Sequence, residues 1–239
     1  MKKPQRQRSM IRRQCASLAT MGATCVVAVI AALQYAPCAV KPSGPRPVQL
    51  ITNKLCPFAQ KAVVALEESG LTYSTREVGL YGAGGKPPWF LELNPKGEIP
   101  VLVADEQKAV VDSEQILDWI AAEVPAMAAE DDELATKWRQ CMSKRVLPAG
   151  KRYVQMNLDY SAMEAALGEL DEILTAKPGN FVGGSRFSVA DAAAVPFIQR
   201  IEQRYGLPDQ MVALRGWWES VSSRPGVRKT VLKSWWWWW

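Results

Sequence analysis

Val48-Gln-Leu-Ile-Thr52, then Cys56-Pro57-Phe58-Ala59-Gln60 and the run that continues to Ser69, is the stretch on which the reading of this chain turns. Val48–Thr52 is β-branched and apolar and predicts a short strand. Pro57–Ser69 sets Ala59, Ala62, Val63 and Leu66 on one face and Lys61, Glu67 and Glu68 on another, which predicts an amphipathic helix with proline at its first position. Gly70 stops it. A thiol at the strand-to-helix junction meets unsatisfied N–H groups and the positive end of the helix dipole, and both favour the thiolate. Position 59 is alanine, so no second cysteine stands ready to close a Cys-x-x-Cys disulfide. A lone reactive thiol exchanges with an outside thiol through a mixed disulfide. The competing reading is an inert, buried cysteine that happens to open a helix.

Working outward, Leu71–Val78 predicts a second strand, 82–85 a glycine-rich loop and Pro87–Leu93 a short helix. Val101–Ala104 and Lys108–Val111 predict two strands across a turn at 105–107, and Ser113–Glu123 a helix with Ile116, Leu117 and Ile120 aligned. This βαβαββα order, over 47–125, is that of a thioredoxin-like α/β domain. Residues 126–132 read as a linker and 133–234 as an all-α domain. Leu134, Trp138, Cys141 and Met142 form one apolar stripe; Met163, Leu167, Leu170, Ile173 and Leu174 form a second. Ser188–Tyr205 and Val212–Ser222 predict two further helices. Cys141 reads as core packing, and Trp138, Trp217 and Trp218 as core or cleft wall.

Composition narrows the chemistry. The 239 residues contain no histidine, which excludes Ser-His-Asp and Cys-His pairs and imidazole acid–base work; no metal site is expected. Residues 1–46 carry Lys2, Lys3, Arg6, Arg8, Arg12, Arg13, Lys41 and Arg46 and no acid. Removing those eight from the chain's 29 basic residues leaves 21 against 24 acidic, so the basic balance belongs to the leader and no nucleic-acid partner is implied. Basic residues to Arg13, the apolar run 16–33 and small residues near Ala36–Ala39 read as a targeting peptide or a membrane anchor. Sequence upstream of the true start is the remaining reading of the leader. Cys15, Cys25 and Cys38 lie in it, and Cys56 and Cys141 alone are too few for a disulfide framework. A reducing compartment suits the remaining domain, so an organelle of plastid type, a membrane surface and the cytoplasm all stay open. Trp235–Trp239 reads either as an interfacial anchor or as a translated simple repeat.

Three more segments surround Cys56 in this reading. Pro100, in Gly97-Glu98-Ile99-Pro100-Val101, stands just before a strand where a cis bond would aim the Ile99 backbone at a peptide-like ligand; a simple loop proline is the alternative. Asp112-Ser113 opens the next helix, either as a cap or as a receiver of a ligand carboxylate, with Asp112 meeting an ammonium group. Lys86 is a surface charge or the partner of a second carboxylate. Together these groups describe a ligand with an amino group and carboxylate at one end, peptide bonds beside a thiol, and a carboxylate at the other. Glutathione has that layout.

Cys56-Pro-Phe-Ala-Gln60, Lys86-Pro-Pro-Trp-Phe-Leu-Glu-Leu-Asn-Pro-Lys-Gly-Glu-Ile-Pro-Val-Leu102 and Asp112-Ser113 resemble the cysteine-type glutathione transferases, nearest the omega class and the dehydroascorbate reductases. The resemblance is strong over 49–125 and continues through Phe181–Asp191, where Ser188 and Asp191 form a helix-capping box. It implies a glutathione transferase fold, with Cys56 as nucleophile and Phe58, Lys86, Ile99, Pro100, Asp112 and Ser113 holding glutathione as co-substrate. It also implies a small oxidised or electrophilic second substrate, and it leaves a homodimer open. Leu55 stands where plant dehydroascorbate reductases usually carry aspartate, and Asp112 where omega enzymes usually carry glutamate. The activity implied is thiol transfer or dehydroascorbate reduction. The alternatives are general conjugation of electrophiles, a membrane-inserting protein like the chloride intracellular channels, and an assembly module.

Overall fold

The computed structural model describes residues 48–80, 85–105, 108–156, 160–177 and 179–231. The leader, the glycines at 82 and 84, the turn at 106–107 and the tryptophan run lie outside the described residues. Among the described residues no helix is long and apolar enough to cross a membrane.

β1 (Val48–Thr52) leads into α1 (Pro57–Ser69), which ends where Gly70 takes a left-handed conformation (φ 73°). β2 (Tyr73–Glu77) is shorter than the predicted strand and mostly exposed. α2 (Pro88–Leu93), β3 (Val101–Asp105), β4 (Lys108–Val111) and α3 (Ser113–Glu123) follow. The sheet order is β2-β1-β3-β4, with β1 and β2 parallel and the other pairs antiparallel. The two-residue period of the strands divides the core. Leu50 and Leu102 join α1, α3 and the helical half, while Ile51 and Val101 pack with Val78 and Phe90 under α2.

One expectation about α1 fails. Lys61 does not lie on a free polar face; it is buried, because α1 is covered by α3 on one side and by the helical half on the other. An amphipathic pattern reports one apolar stripe. It cannot report a second neighbour arriving from far along the chain.

The predicted linker contains a 3-10 turn (Pro125–Met127), and α4 (Asp132–Cys141) begins at its end, with Asp131 capping Leu134 N–H at 3.0 Å. α4 then passes through a wide π turn (Met142–Val146) into α5 (Leu147–Met156). Pro148 has no N–H to offer the Lys144 carbonyl and its ring crowds that turn, so the helix gains its extra residue just before the proline. α6 (Ser161–Ala176), α7 (Val189–Tyr205), α8 (Val212–Ser222) and α9 (Pro225–Thr230) complete the fold. α7 is buried along Val189–Ile201, including Asp191, Gln199 and Arg200, because α1, α3, α4 and α8 all pack against it. Trp138 and Trp217 are core residues with ring centroids 5.0 Å apart, and Trp218 is half-buried beside them. Cys141 is buried, its sulfur 3.7 Å from the Ala166 carbonyl, and burial beside Glu169 pushes its pKa up to about 12.

α7 starts at the capping box read from the sequence. Ser188 N–H donates to Asp191 Oδ2 at 2.8 Å, and Ala190 N–H donates to Ser188 Oγ at 3.2 Å. Asp191 Oδ1 also accepts from Val182 N–H (2.9 Å) and Trp217 Nε1 (2.7 Å), so one fully buried carboxylate ties the preceding loop and α8 to the start of α7. Burial pushes the Asp191 pKa up to about 6 despite these donors. A folded-state value above the unfolded one means that this group's stabilisation is complete below about pH 4 and is lost as pH rises through about 6. Asp191→Asn turns an amide N–H₂ toward donors and should cost about 2 kcal/mol at low pH. Urea unfolding of both proteins should show that deficit narrowing between acid and neutral pH.

Candidate active site

The sheet register gathers the predicted site residues. Ile51 pairs with Val101 and Val101 with Val111, so the next residues along the three strands emerge at one end of the sheet. Those residues are the turn leading to Cys56, the Ile99–Pro100 pair and Asp112-Ser113. The Ile99–Pro100 bond is cis. Ile99 packs half-buried beside Ile51 and Phe90.

The turn before Cys56 is closed by its own polar groups. Asn53 Oδ1 accepts from Leu55 N–H and its carbonyl from Cys56 N–H, both at 3.0 Å, while its Nδ2 donates to the Val78 carbonyl at 2.9 Å. An asparagine is suited to this because its side chain mimics a backbone turn. Gln60, one turn into α1, reaches back to the Lys54 carbonyl at 2.7 Å. Arg200 of α7 donates to Gln60 Oε1 at 2.8 Å and to the Leu55 carbonyl at 3.4 Å. Arg200 is 1% exposed, and burial pulls its pKa down to about 10. Sequence reading missed it, since nothing local marks a residue lying 145 positions from its partner.

Cys56 is the N-cap of α1, and its residue is 8% exposed. The expectation that the helix end makes it a ready thiolate needs correction. Burial pushes the thiol above its ordinary range and outweighs the backbone N–H groups of Ala59 and Phe58 and the charges of Arg200 and Lys86, which all pull it down. The desolvation cost of the charged form is the larger effect here.

Lys86 stands across from the thiol, half-buried, and donates to the Gly79 carbonyl. Burial lowers its pKa while the Cys56 charge raises it. Gly97 lies against it with φ 67°, and a Cβ there would meet Lys86 Cγ at 3.3 Å, so a side chain would both strain the turn and crowd the lysine.

Asp112 is exposed, and its Oδ1 accepts from Glu114 N–H (2.7 Å) and Gln115 N–H (3.4 Å), which is the capping role. It does so at φ 76° and ψ 134°, a conformation that costs a non-glycine residue roughly 1–3 kcal/mol and that collects at ligand sites. Ser113, the first residue of α3, is buried behind it. Phe58 is 37% exposed and turns its ring edge-on to Phe197 of α7, centroids 5.3 Å apart, so its side chain forms part of a wall shared by the two halves. Among the described residues there is no group of three His, Cys, Asp or Glu arranged to hold a metal.

The electrostatics of the thiol yield a direct test. Lys86→Met removes one of the charges that hold the Cys56 pKa down, so the rate of iodoacetamide labelling should rise with pH along a curve displaced to higher pH than wild type. An undisplaced curve would show that the lysine is too well screened to reach the sulfur.

Residues 55–123 match the glutathione S-transferase N-terminal domain, and residues 149–221 match the glutathione S-transferase C-terminal domain. Glutathione S-transferase omega-1 of Sus scrofa is 27% identical over 201 residues, 78% of this chain and 82% of that protein. Glutathione S-transferase DHAR3, chloroplastic, of Arabidopsis thaliana is 28% identical over 192 residues, 74% of this chain and 70% of that protein. The crystal structure of glutathione transferase Omega 1C from Trametes versicolor superimposes with a TM-score of 0.69 at 21% identity, covering 78% of this chain and 92% of that one; it speaks to the fold. Two successive domain matches that together span more than half of the sequence, on a fold with this strand order, leave one assignment: the chain belongs to the glutathione S-transferase family.

Proposed function

We propose that the chain is a glutathione-dependent thiol transferase or dehydroascorbate reductase acting through Cys56. The observation that carries this reading is a cysteine, where other transferases place a hydroxyl, at the helix end beside Ile99–Pro100 and Asp112-Ser113. Relatives named omega and DHAR support it. In this reading Ser113, at the start of α3, receives one glutathione carboxylate, Asp112 meets the ammonium, Lys86 meets the second carboxylate, and the Ile99 backbone pairs with the peptide.

With a glutathione mixed disulfide as substrate, the Cys56 thiolate attacks the glutathionyl sulfur. The bond to the other sulfur breaks, and that sulfur leaves with the electron pair and takes a proton. A second glutathione thiolate then attacks the glutathionyl sulfur of the adduct, forming glutathione disulfide and returning Cys56 as thiolate. With dehydroascorbate, the thiol adds to a carbonyl carbon. A glutathione thiolate then attacks the Cys56 sulfur, the carbon–sulfur bond breaks toward the substrate, and the reduced substrate takes up a proton. Cys56 is left as the glutathione mixed disulfide, which a second glutathione resolves as before.

A hydroxyl-type transferase instead leaves the glutathione thiol free to attack an electrophile, so the two chemistries separate in one experiment. Wild type and Cys56→Ser are assayed side by side with dehydroascorbate, a small disulfide and an aryl halide. Cys56→Ser should lose the first two activities by about 10³-fold or more and lose no aryl-halide conjugation. Intact-mass analysis after oxidised glutathione should find one glutathionyl group on wild type and none on the variant. An adduct on Cys141, or activity that survives the substitution, overturns the proposal.

A further inference from the structure

We infer that Lys61, with Glu114, is the positioning pair of the glutathione site: it holds the helix that presents Cys56 and the helix that presents Ser113 at one separation, and so sets glutathione affinity. This rests on the reading of the site as a glutathione site.

Lys61 lies on α1, five residues past Cys56, with its side chain 5% exposed. Its ammonium donates to Glu114 Oε1 at 2.6 Å. Glu114 is the second residue of α3, next to Ser113, and its own N–H is held by Asp112. The same carboxylate accepts from Arg139 Nε of α4 at 2.7 Å, and Arg139 also donates to Asp118 Oδ1 at 2.7 Å and to the Glu114 carbonyl at 3.2 Å. One carboxylate therefore joins the thiol's helix, the helix that begins at Ser113, and the helical half. Burial works against the charged Glu114, yet Lys61 and Arg139 together hold its pKa below the usual range. The Lys61 ammonium also sits 5.4 Å from the Phe58 ring centroid and 5.2 Å from that of Phe197, so the rings of the cleft wall pack around the same cation.

This arrangement suits positioning better than anchorage alone. An ion pair meant only to stabilise gains little here, because stripping water from the Lys61 ammonium offsets much of its attraction to Glu114, whose side chain stays 36% exposed. What this pair does provide is geometry: it joins α1, which begins at Cys56, to α3, which begins at Ser113. A displacement of about 1 Å between binding groups can cost as much as ~10²-fold in rate or affinity.

Lys61→Met keeps the length of the side chain and removes the charge; Lys61→Arg restores it; Glu114→Gln removes the other partner with its shape intact. Two readouts apply to each: steady-state rates with a small disulfide, and calorimetric titration of reduced glutathione in a Cys56→Ser background. Lys61→Met and Glu114→Gln should each raise the glutathione KM and dissociation constant about tenfold while kcat stays within about twofold. Lys61→Arg should return both to near wild type, and the double variant should bind no worse than the weaker single. A merely structural role would lower melting temperature and the fraction of active protein, with KM unchanged; that result overturns the inference. So does a fall in kcat at constant KM, or failure of arginine to rescue. If Lys61→Met does not fold, Glu114→Gln alone decides, since an unchanged dissociation constant there is equally fatal. Normal wild-type binding with unaltered variants removes this inference alone, whereas wild type that binds no glutathione removes the glutathione reading and this inference with it.

Discussion

A sulfur at the end of a helix is pulled two ways, and the rest of the site is arranged around that conflict. The N–H groups of Phe58 and Ala59 and the positive end of α1 favour an anion at Cys56. The helical half packed over α1 strips water from the same atom and favours the neutral thiol. In the ligand-free protein the second force prevails. That balance restrains indiscriminate oxidation, because a protonated thiol is a poor nucleophile. It also gives weight to every remaining cation in reach, which is why the charges of Arg200 and Lys86 bear on the chemistry.

Both halves of the chain pay into this arrangement. Arg200 enters from α7 and fastens the carbonyl just before Cys56, while Gln60 relays it to the carbonyl before that. Arg139 enters from α4 and fastens Glu114. The thioredoxin-like part thus supplies the strand ends where Cys56, Ile99–Pro100 and Asp112-Ser113 gather, and the helical part supplies the charges that hold those strand ends at one spacing. Neither set would have a fixed geometry alone, since a helix terminus and a short turn have few contacts of their own.

What could be read from the sequence follows from how local each cause is. Strand β1, helix α1 and its glycine stop depend on residues within a few positions of one another, and they appear where the pattern predicts. The Ser188–Asp191 box is equally local, and so is the placement of Pro100 before β3. The π turn was legible in principle from Pro148, but a helix with a strong apolar stripe reads as continuous. Lys61 shows the limit more sharply. Its place on the polar side of α1 is a correct statement about the isolated helix, and its burial comes from Phe197 and Glu114, which lie 136 and 53 positions away along the chain. The thiol misled for the same reason: the helix end is local, while the desolvation that outweighs it comes from the packing of the whole molecule.

The lack of histidine gives the chemistry its last constraint. Where a cysteine nucleophile has an imidazole partner, the proton is taken within the site and reactivity becomes nearly independent of the thiol's own ionisation. Here no described side chain beside Cys56 can serve as a base near neutrality, since its charged neighbours are an arginine and a lysine. The proton must leave through the small exposed surface of the sulfur to water, or pass to the incoming substrate as the new bond forms. The rate of the first step therefore tracks the fraction of thiolate directly. A glutathione docked as proposed would lower that fraction in two ways, because its carboxylates add negative charge and its peptide displaces water from the mouth of the site. Both changes disfavour the anion, and the N–H groups of Ala59 and Phe58 together with the cations at Arg200 and Lys86 oppose them. In the proposed reactions the oxidised substrate is attacked first and glutathione then resolves the adduct, an order that a cysteine nucleophile requires and a hydroxyl does not.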